Sequence, residues 1–438
     1  MFTQCCGRCG AARAMIWSAS ARVLALLALL GTGTLPAQAG GDPERLHRAD
    51  LSGIARIVHQ EIGAGRIPGA VVLVGNEERI VYRQAFGFAA LRPERIPMTV
   101  GTLFDLASLT KVVATTTAIM QLVEQGKLDL DAPAARYWPA FGENGKRAIT
   151  VREMLTHYSG LAPDLNPEVP WDGYRGALRA IVAEKPVATP GTRYVYSDIN
   201  FEALGEIVQR VSGEPLDGYC AKHIFGPLNM RKTGFRPPAR ERYRIAPTEY
   251  LNGQLRWGEV HDPTAYRMGG VSGHAGLFST ADDLATFAQM LLNGGIFHGA
   301  RILDRYSVER MTVPQSPPGK GRLRGLGWDL TAPFAANRDD LRPVGAYDHT
   351  GFTGTLLWVD PVSKTYVIVL TNRVYPFGQG NAGPLREAVV HLVASRLGPL
   401  TDAEVVARRP RLARYYALVS RCREKTPAVL HGACPSPL

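Results

Sequence analysis

The sequence predicts an α/β chain of the α+β kind: an antiparallel β-sheet flanked by helices, with a mostly helical part inserted. Three observations carry that expectation. Two strand-like runs, Ala70–Val74 and Arg79–Phe86, are joined by the turn residues Gly75-Asn76, which reads as a hairpin and places antiparallel pairing early in the chain. Strand texture then fades until the last third, where it returns at Gly325–Leu330, Gly354–Val359 and Thr365–Thr371. Regular strand–helix alternation, which a doubly wound parallel sheet needs, is missing.

The remaining elements follow in order. Leu46, Leu51, Ile54, Ile57, Val58 and Ile62 recur at helical spacing until Gly63 and Gly65 break the pattern. A long helix is expected from Ser108 or Leu109 to Gln125, with Gly126 as its C-cap. Pro and Gly are scattered through residues 160–192, after which Asp198 or Asn200 is expected to cap a helix carrying Phe201, Leu204, Ile207, Val208 and Val211. Helices are also expected at Asp282–Leu292 and at Pro384–Leu397, the latter with its apolar residues on one face. The sheet part is thus assigned to about 44–118 and 262–400, and the helical part to about 119–261.

The chain ends have a different texture. Arg22 precedes the apolar run Val23 to Leu30, and Ala37-Gln38-Ala39 offers a small-residue cleavage site, so residues 1–39 read as a signal peptide and the protein as periplasmic. The run falls short of the roughly 20 residues that cross a bilayer. Cys5, Cys6 and Cys9 lie ahead of it, in an upstream extension before Met15. Of the other cysteines, Cys422 and Cys434 are close enough to pair after export, whereas Cys220 sits in an apolar stretch and reads as an inert core thiol. Residues 401–438 form a basic tail, with Arg408, Arg409, Arg411, Arg414, Arg421, Arg423 and Lys425 against Asp402, Glu404 and Glu424. With a net charge of +11, this tail could associate weakly with an anionic membrane surface or cell wall. No nucleic-acid-binding motif is present, and nucleic acid is excluded as a partner.

Common catalytic signatures are missing as well. The chain has no G-x-S-x-G, H-E-x-x-H, G-x-x-x-x-G-K-[ST] or G-x-G-x-x-G, and its histidines lack ligand spacing, so neither a metal nor a cofactor is expected. One S-x-x-K occurs, Ser108-Leu109-Thr110-Lys111. A serine at a helix start has its amide among the free donors of the first turn, and a lysine three residues on lies on the same face. In a closed cationic pocket such a lysine would have its pKa lowered and could take the serine proton. The plain alternative makes Ser108 a helix cap and Lys111 a surface lysine.

Two further elements have competing copies. Tyr158-Ser159, Tyr196-Ser197 and Tyr306-Ser307 all begin alike, but only Tyr196 is followed two residues later by a hydrogen-bonding side chain, Asp198. A tyrosine there can carry a proton to a leaving group. Lys232-Thr233-Gly234 leads into Phe235-Arg236-Pro237-Pro238, a loop, whereas His349-Thr350-Gly351 leads into Phe352 and a strand-like run. A strand edge can hold a substrate by main-chain hydrogen bonds, so the second copy is preferred.

Taken in this order, the three elements resemble the active-site serine β-lactamase and penicillin-binding protein superfamily. The resemblance spans about residues 45–397 and is strongest to class C β-lactamases and low-molecular-mass D-alanyl-D-alanine carboxypeptidases. It extends to Thr102-Leu103-Phe104-Asp105-Leu106-Ala107, to Leu155-Thr156-His157-Tyr158-Ser159-Gly160-Leu161, and to Val260-His261-Asp262 through Gly269 to Phe278. It implies Ser108 as acylated nucleophile, Lys111 as its base and Tyr196 as proton carrier, with Asp198, His349, Thr350, Gly351 and Phe352 binding substrate. Asp198 stands where the family has Asn, and His349 where it has Lys. The amides of Ser108 and Phe352 would form the oxyanion hole. The implied function is a carboxypeptidase-like hydrolase of peptidoglycan peptides that β-lactams acylate; the alternatives are a β-lactamase or carboxylesterase, or a non-catalytic cell-wall module. His157, His261, Asp262 and His274 read as loop-holding residues rather than ligands, and Arg373 as an exposed strand-end arginine or a carboxylate contact.

Overall fold

A six-stranded antiparallel sheet lies at the centre of the computed structural model. The structure describes residues 46–398 except 167–169, 252, 318, 321 and 331–344; the signal peptide, the tail and the Cys422–Cys434 pair lie outside these. The strands are β1 (Gly69–Asn76), β2 (Ile80–Ala90), β3 (Ile96–Pro97), β4 (Tyr347–Thr350), β5 (Leu356–Asp360) and β6 (Thr365–Thr371). Their spatial order is β4-β5-β6-β1-β2-β3, so the early hairpin and the late strands close on each other through β1 and β6. Ala70 pairs with Thr371 and Asn76 with Thr365.

Every residue of β1 is buried, because helices cover both faces of the sheet. The two-residue period of a strand then divides its apolar run between two cores. Ala70, Val72 and Val74 pack with Ile54 and Val58 of helix α1 (Gly53–Gly63) and with Leu385, Val389 and Val393 of the closing helix (Gly383–Leu397). Val71 and Leu73 face the other way, toward Leu284 and Phe287 of Ala281–Leu292 and onward into the helical part. Fully burying a Val or Leu side chain stabilises by about 1.5–3 kcal/mol, so this doubly covered strand is the anchor of the sheet.

Three local expectations change. Gly325–Leu330 is no strand: only isolated bridges, Arg324 to Asp329 and Asp329 to Asp348, form there. Gly325 donates back to Trp328 in a tight turn, and Gly327 has φ +77° with a would-be Cβ 2.4 Å from Thr116 Oγ1. The run is apolar because Leu326 and Trp328 are buried in the main core, with Gly327 against Val112 and Thr116 of the nucleophile's helix, not because it pairs. Asp198 and Asn200 are inside the helix Asp198–Ser212 rather than capping it, with Ser197 at the N-cap and left-handed Gly213 at its end. Finally, the helix that begins at Ser108 is continuous to Glu124 but irregular. It opens as a tight turn at Ala107–Leu109, widens to π-type winding over Lys111–Thr116 and becomes α-helical only at Thr117–Glu124. Its Val-Val-Ala-Thr-Thr-Thr run is a poor helix former, and hydroxyls divert its bonding: Thr115 Oγ1 donates to Gly273 O at 2.6 Å and Thr117 Oγ1 to Val112 O at 2.9 Å. Gly126 ends this helix at φ +67°, as expected. Cys220 is a buried free thiol, pushed up by burial.

Candidate active site

The turn that presents Ser108 is built from Asp105. This residue ends a two-residue strand, Phe104–Asp105, that pairs with Leu277–Ser279. Its buried carboxylate accepts the amides of Ala107 at 2.9 Å and His261 at 2.6 Å, while burial raises its pKa. Ala107 adopts φ +46°, which a residue with a side chain rarely does, and the bond from Asp105 holds it there. Thr110 Oγ1 closes the turn on Ala107 O at 2.6 Å. Ser108 thus stands at the first turn, where amides lack acceptors of their own.

Lys111 is fully buried beneath it. Its ammonium donates to Ser108 Oγ at 2.9 Å and to His274 O at 3.0 Å, and pairs with Asp198 Oδ1 at 2.7 Å. Ser108 Oγ and His274 O accept two of its N–H bonds, and the Asp198 carboxylate and Tyr196 hydroxyl lie beside it as well. Burial is the largest influence and pulls the pKa down, but Asp198 and then Tyr196 outweigh it together and leave Lys111 above its usual range. The expectation of a lowered lysine is therefore corrected: a carboxylate two residues after Tyr196 keeps Lys111 charged at rest.

Tyr196 sits with its ring 5.2 Å from Lys111 Nζ and stacks on His157, with centroids 4.3 Å apart. His157 accepts the amide of Ser197 on Nδ1 at 3.1 Å, from a left-handed backbone position of its own. Burial, then Arg324 and Lys111, hold its pKa well below the usual imidazole range. A neutral ring thus supports the tyrosine while gripping the backbone beside it.

His349 lies at the end of β4, and its ring centroid is 6.4 Å from that of Tyr196. Its Nδ1 bonds Thr350 O at 2.9 Å, and its buried Nε2 has no hydrogen-bond partner among the described residues. Burial, then Arg324 and Lys111, bring its pKa down to about 3. Standing where the family has a lysine, His349 is thus neutral across the ordinary histidine range, chiefly because it is buried and then because Arg324 and Lys111 lie around it. The ratio of kcat/KM for an acidic and a neutral ester should therefore stay constant from about pH 5 to 8, the range in which an ordinary histidine titrates. A ratio that fell near pH 6.5 would restore His349 as the carboxylate contact. Acid stability follows the same sign. Unfolded His349 binds a proton below about pH 6.5 and the folded one only near 3, so the stability present above that window is lost as pH falls through it.

Gly351 follows, where a Cβ would meet Thr355 Oγ1 at 2.1 Å and Leu106 O at 2.4 Å. Only glycine lets this loop lie against the turn before Ser108. Phe352 then projects outward, 61% exposed, with its ring stacked 5.6 Å from His261 and the Arg373 guanidinium 4.2 Å above it. Arg373 itself donates to Phe352 O at 2.7 Å and Gly380 O at 2.9 Å, so it is bound into the loop rather than loose at a strand end. Lys232 pairs instead with Glu241 at 3.4 Å.

Behind Lys111 lies a second ionic layer. His274 bonds Asp262 at 2.8 Å and Ser272 at 2.8 Å; burial opposes its charge, but Asp262 prevails and lifts its pKa to about 9. Asp198, Asp262 and His274 bring ligand atoms within 4.8 Å of one another. Lys111 and protonated His274 supply the positive charge that these carboxylates face. Sequence reasoning missed Glu202, which burial pushes up to about 8; its oxygens have no hydrogen-bond partner among the described residues, and His274 Nδ1 lies 3.6 Å away. A glutamate inside a helix gives no sequence signal of burial. His261 Nε2 meets Glu249 at 2.6 Å, and Asp262 caps the short helix Pro263–Arg267, so these residues hold loops in place.

Residues 54–391 match the family model described as Beta-lactamase. The chain is 34% identical over 382 residues to the "Putative D-alanyl-D-alanine carboxypeptidase" of Escherichia coli K12, covering 78% of this chain and 85% of that one. A protein of the same name from Salmonella typhi is 34% identical over 387 residues, with 78% and 86% covered. Among solved structures, a penicillin-binding protein homologue from Caulobacter crescentus superposes with a TM-score of 0.66 at 22% identity, covering 82% of this chain and 99% of that one. EstCE1, described as a hydrolase with promiscuous acyltransferase activity, superposes with a TM-score of 0.63 at 25% identity, covering 79% and 98%.

Proposed function

The chain belongs to the β-lactamase family, and from that premise we propose that it is an exported serine hydrolase that cleaves D-alanyl-D-alanine ends of cell-wall peptides through an acyl-enzyme. The observation that carries the reading is the contact of Ser108 Oγ with the buried Lys111 ammonium at 2.9 Å, beside Tyr196 and Asp198.

Once Lys111 has given up its resting proton to solvent, Ser108 Oγ attacks the scissile carbonyl carbon as its own proton passes to the free amine, from which Tyr196 can draw it. The oxyanion forms toward the amides of Ser108 and Phe352, where fixed donors need no reorganisation. Collapse breaks the C–N bond, and Tyr196 delivers the proton to the departing amine. Water then hydrolyses the serine ester. With His349 neutral, the fixed cation nearest Phe352 is Arg373, which makes it the contact for a terminal carboxylate.

The neutral His349 also favours a second reading, a carboxylesterase for uncharged acyl donors, in line with the likeness to EstCE1. Mass spectrometry after incubation with benzylpenicillin separates the readings. A lasting adduct together with D-alanine release from a peptide supports the carboxypeptidase, a transient adduct a β-lactamase, and turnover of simple esters with no adduct an esterase. The exported form should begin near Gly40, and N-terminal sequencing of a periplasmic fraction checks this.

A further inference from the structure

We propose that Arg386 and Arg373 set the oxyanion-binding loop, residues 351–354, by taking up its carbonyl oxygens, and are positioning residues for acylation. The inference rests on the acyl-enzyme reading above. Arg386, from the closing helix, donates Nη2 to Gly351 O at 2.5 Å and Nε to Gly354 O at 3.3 Å. Arg373, just past β6, donates Nε to Phe352 O at 2.7 Å and its backbone amide to Thr353 O at 2.8 Å. Every carbonyl of the loop therefore points at one of these two residues.

The consequence follows from peptide geometry. Gly351 C=O and Phe352 N–H belong to one planar trans unit, so fixing the oxygen aims the N–H the opposite way. The amides of Gly351 and Gly354 donate to Thr355 O and Gly351 O within the loop. Those of Phe352 and Thr353 have no acceptor among the described residues. On the side of Ser108, Thr353 Oγ1 donates to Asp105 O at 2.7 Å and Thr355 Oγ1 to Leu106 O at 3.0 Å. The loop is thus stitched to the nucleophile's turn on one side and to two guanidiniums on the other. The Phe352 N–H is left as a donor held from behind.

Electrostatics agree with the geometry. Burial, then the like charge of Arg373, bring the Arg386 pKa down to about 10, so both guanidiniums stay charged at neutral pH although they repel. A cation on a peptide oxygen polarises the unit and strengthens its N–H as a donor.

The test uses the full chain with a p-nitrophenyl ester and the matching thionoester, whose sulfur accepts hydrogen bonds poorly. Arg386→Met should lower kcat for the oxygen ester about 10²-fold, the scale of losing one oxyanion donor, with KM nearly unchanged. The thionoester should lose only a small part of that, so the oxygen-over-sulfur preference collapses. Arg386→Lys, which keeps the charge and one bond, should recover part of the preference; should the methionine variant fold poorly, Arg373→Lys, which loses the Nε bond to Phe352 O, should lower the same preference, and an unchanged preference there overturns the proposal. Equal losses for both esters, in step with a lowered Tm, would reduce the arginines to scaffold and overturn the proposal; so would an unchanged kcat. Phosphonate labelling of wild-type Ser108 separates the levels: labelling with the preference intact in Arg386→Met refutes the clamp alone, whereas no labelling at all refutes the acyl-enzyme and the clamp with it.

Discussion

Ser108→Ala is expected to abolish covalent labelling by benzylpenicillin or an acyl phosphonate and to leave the fold in place. The loss should be complete, because the neighbouring threonine hydroxyls cannot substitute. Thr110 Oγ1 is committed to Ala107 O at 2.6 Å and Thr115 Oγ1 to Gly273 O at 2.6 Å, so neither is free to approach a carbonyl at the first turn. The fold should survive because Ser108 supplies one acceptor to Lys111, which keeps Asp198 and His274 O. Leaving one buried donor unpaired costs about 1–3 kcal/mol, a fraction of the stability of an ordinary domain. Intact-mass measurement of both proteins after the same incubation checks this, alongside their thermal unfolding. Undiminished labelling of the alanine variant would move the nucleophile elsewhere.

What could be read from the sequence was whatever is local. The hairpin, strand Thr365–Thr371 and the Gly126 helix end each follow from side-chain period and glycine conformation, and each appears within a few residues of its expected place. The same holds for Ser108 and Lys111, whose spacing alone puts them on one face. Residues defined by distant partners were legible in kind but not in state. His349 looks like a titratable cation until it is found buried, with Arg324 and Lys111 around it. Asp198 can be read as a side chain that orients Lys111 or the substrate, but not as the charge that keeps the buried lysine protonated. Gly325–Leu330 alternates like a strand because it packs against the helix after Ser108, a contact about 200 residues away that no local period encodes. Glu202 and Arg386 sit on helices, where a charged residue ordinarily signals a solvated face.

Lys111→Ala should slow acylation about 10²- to 10⁴-fold, the scale of losing a positioned general base. The more searching experiment changes its partner. Asp198 and Tyr196 hold Lys111 above its usual pKa against the opposing effect of burial. If the unprotonated amine takes the Ser108 proton, the wild-type acylation rate climbs with pH toward that raised value. Asp198→Asn removes the charge and leaves burial unopposed by it, so the rising limb should move to lower pH and the variant should be the faster enzyme on the acid side. In a Lys111→Ala background the limb should vanish and Asp198→Asn should shift nothing further, since the two act as one coupled pair. Stability supplies a second readout. Removing one member of a buried ion pair costs about 3–5 kcal/mol when the other must stay charged, and less when it can shed its proton. Lys111 can do so, so Asp198→Asn should be least stable relative to wild type at low pH, where the lysine is charged without its carboxylate, and should approach wild type as pH rises. Single-turnover acylation with a chromogenic ester across pH, with denaturant unfolding at the same pH values, measures both. A limb that stays in place in Asp198→Asn would mean that the proton leaves Ser108 by another route, through Asp198 itself or through Tyr196.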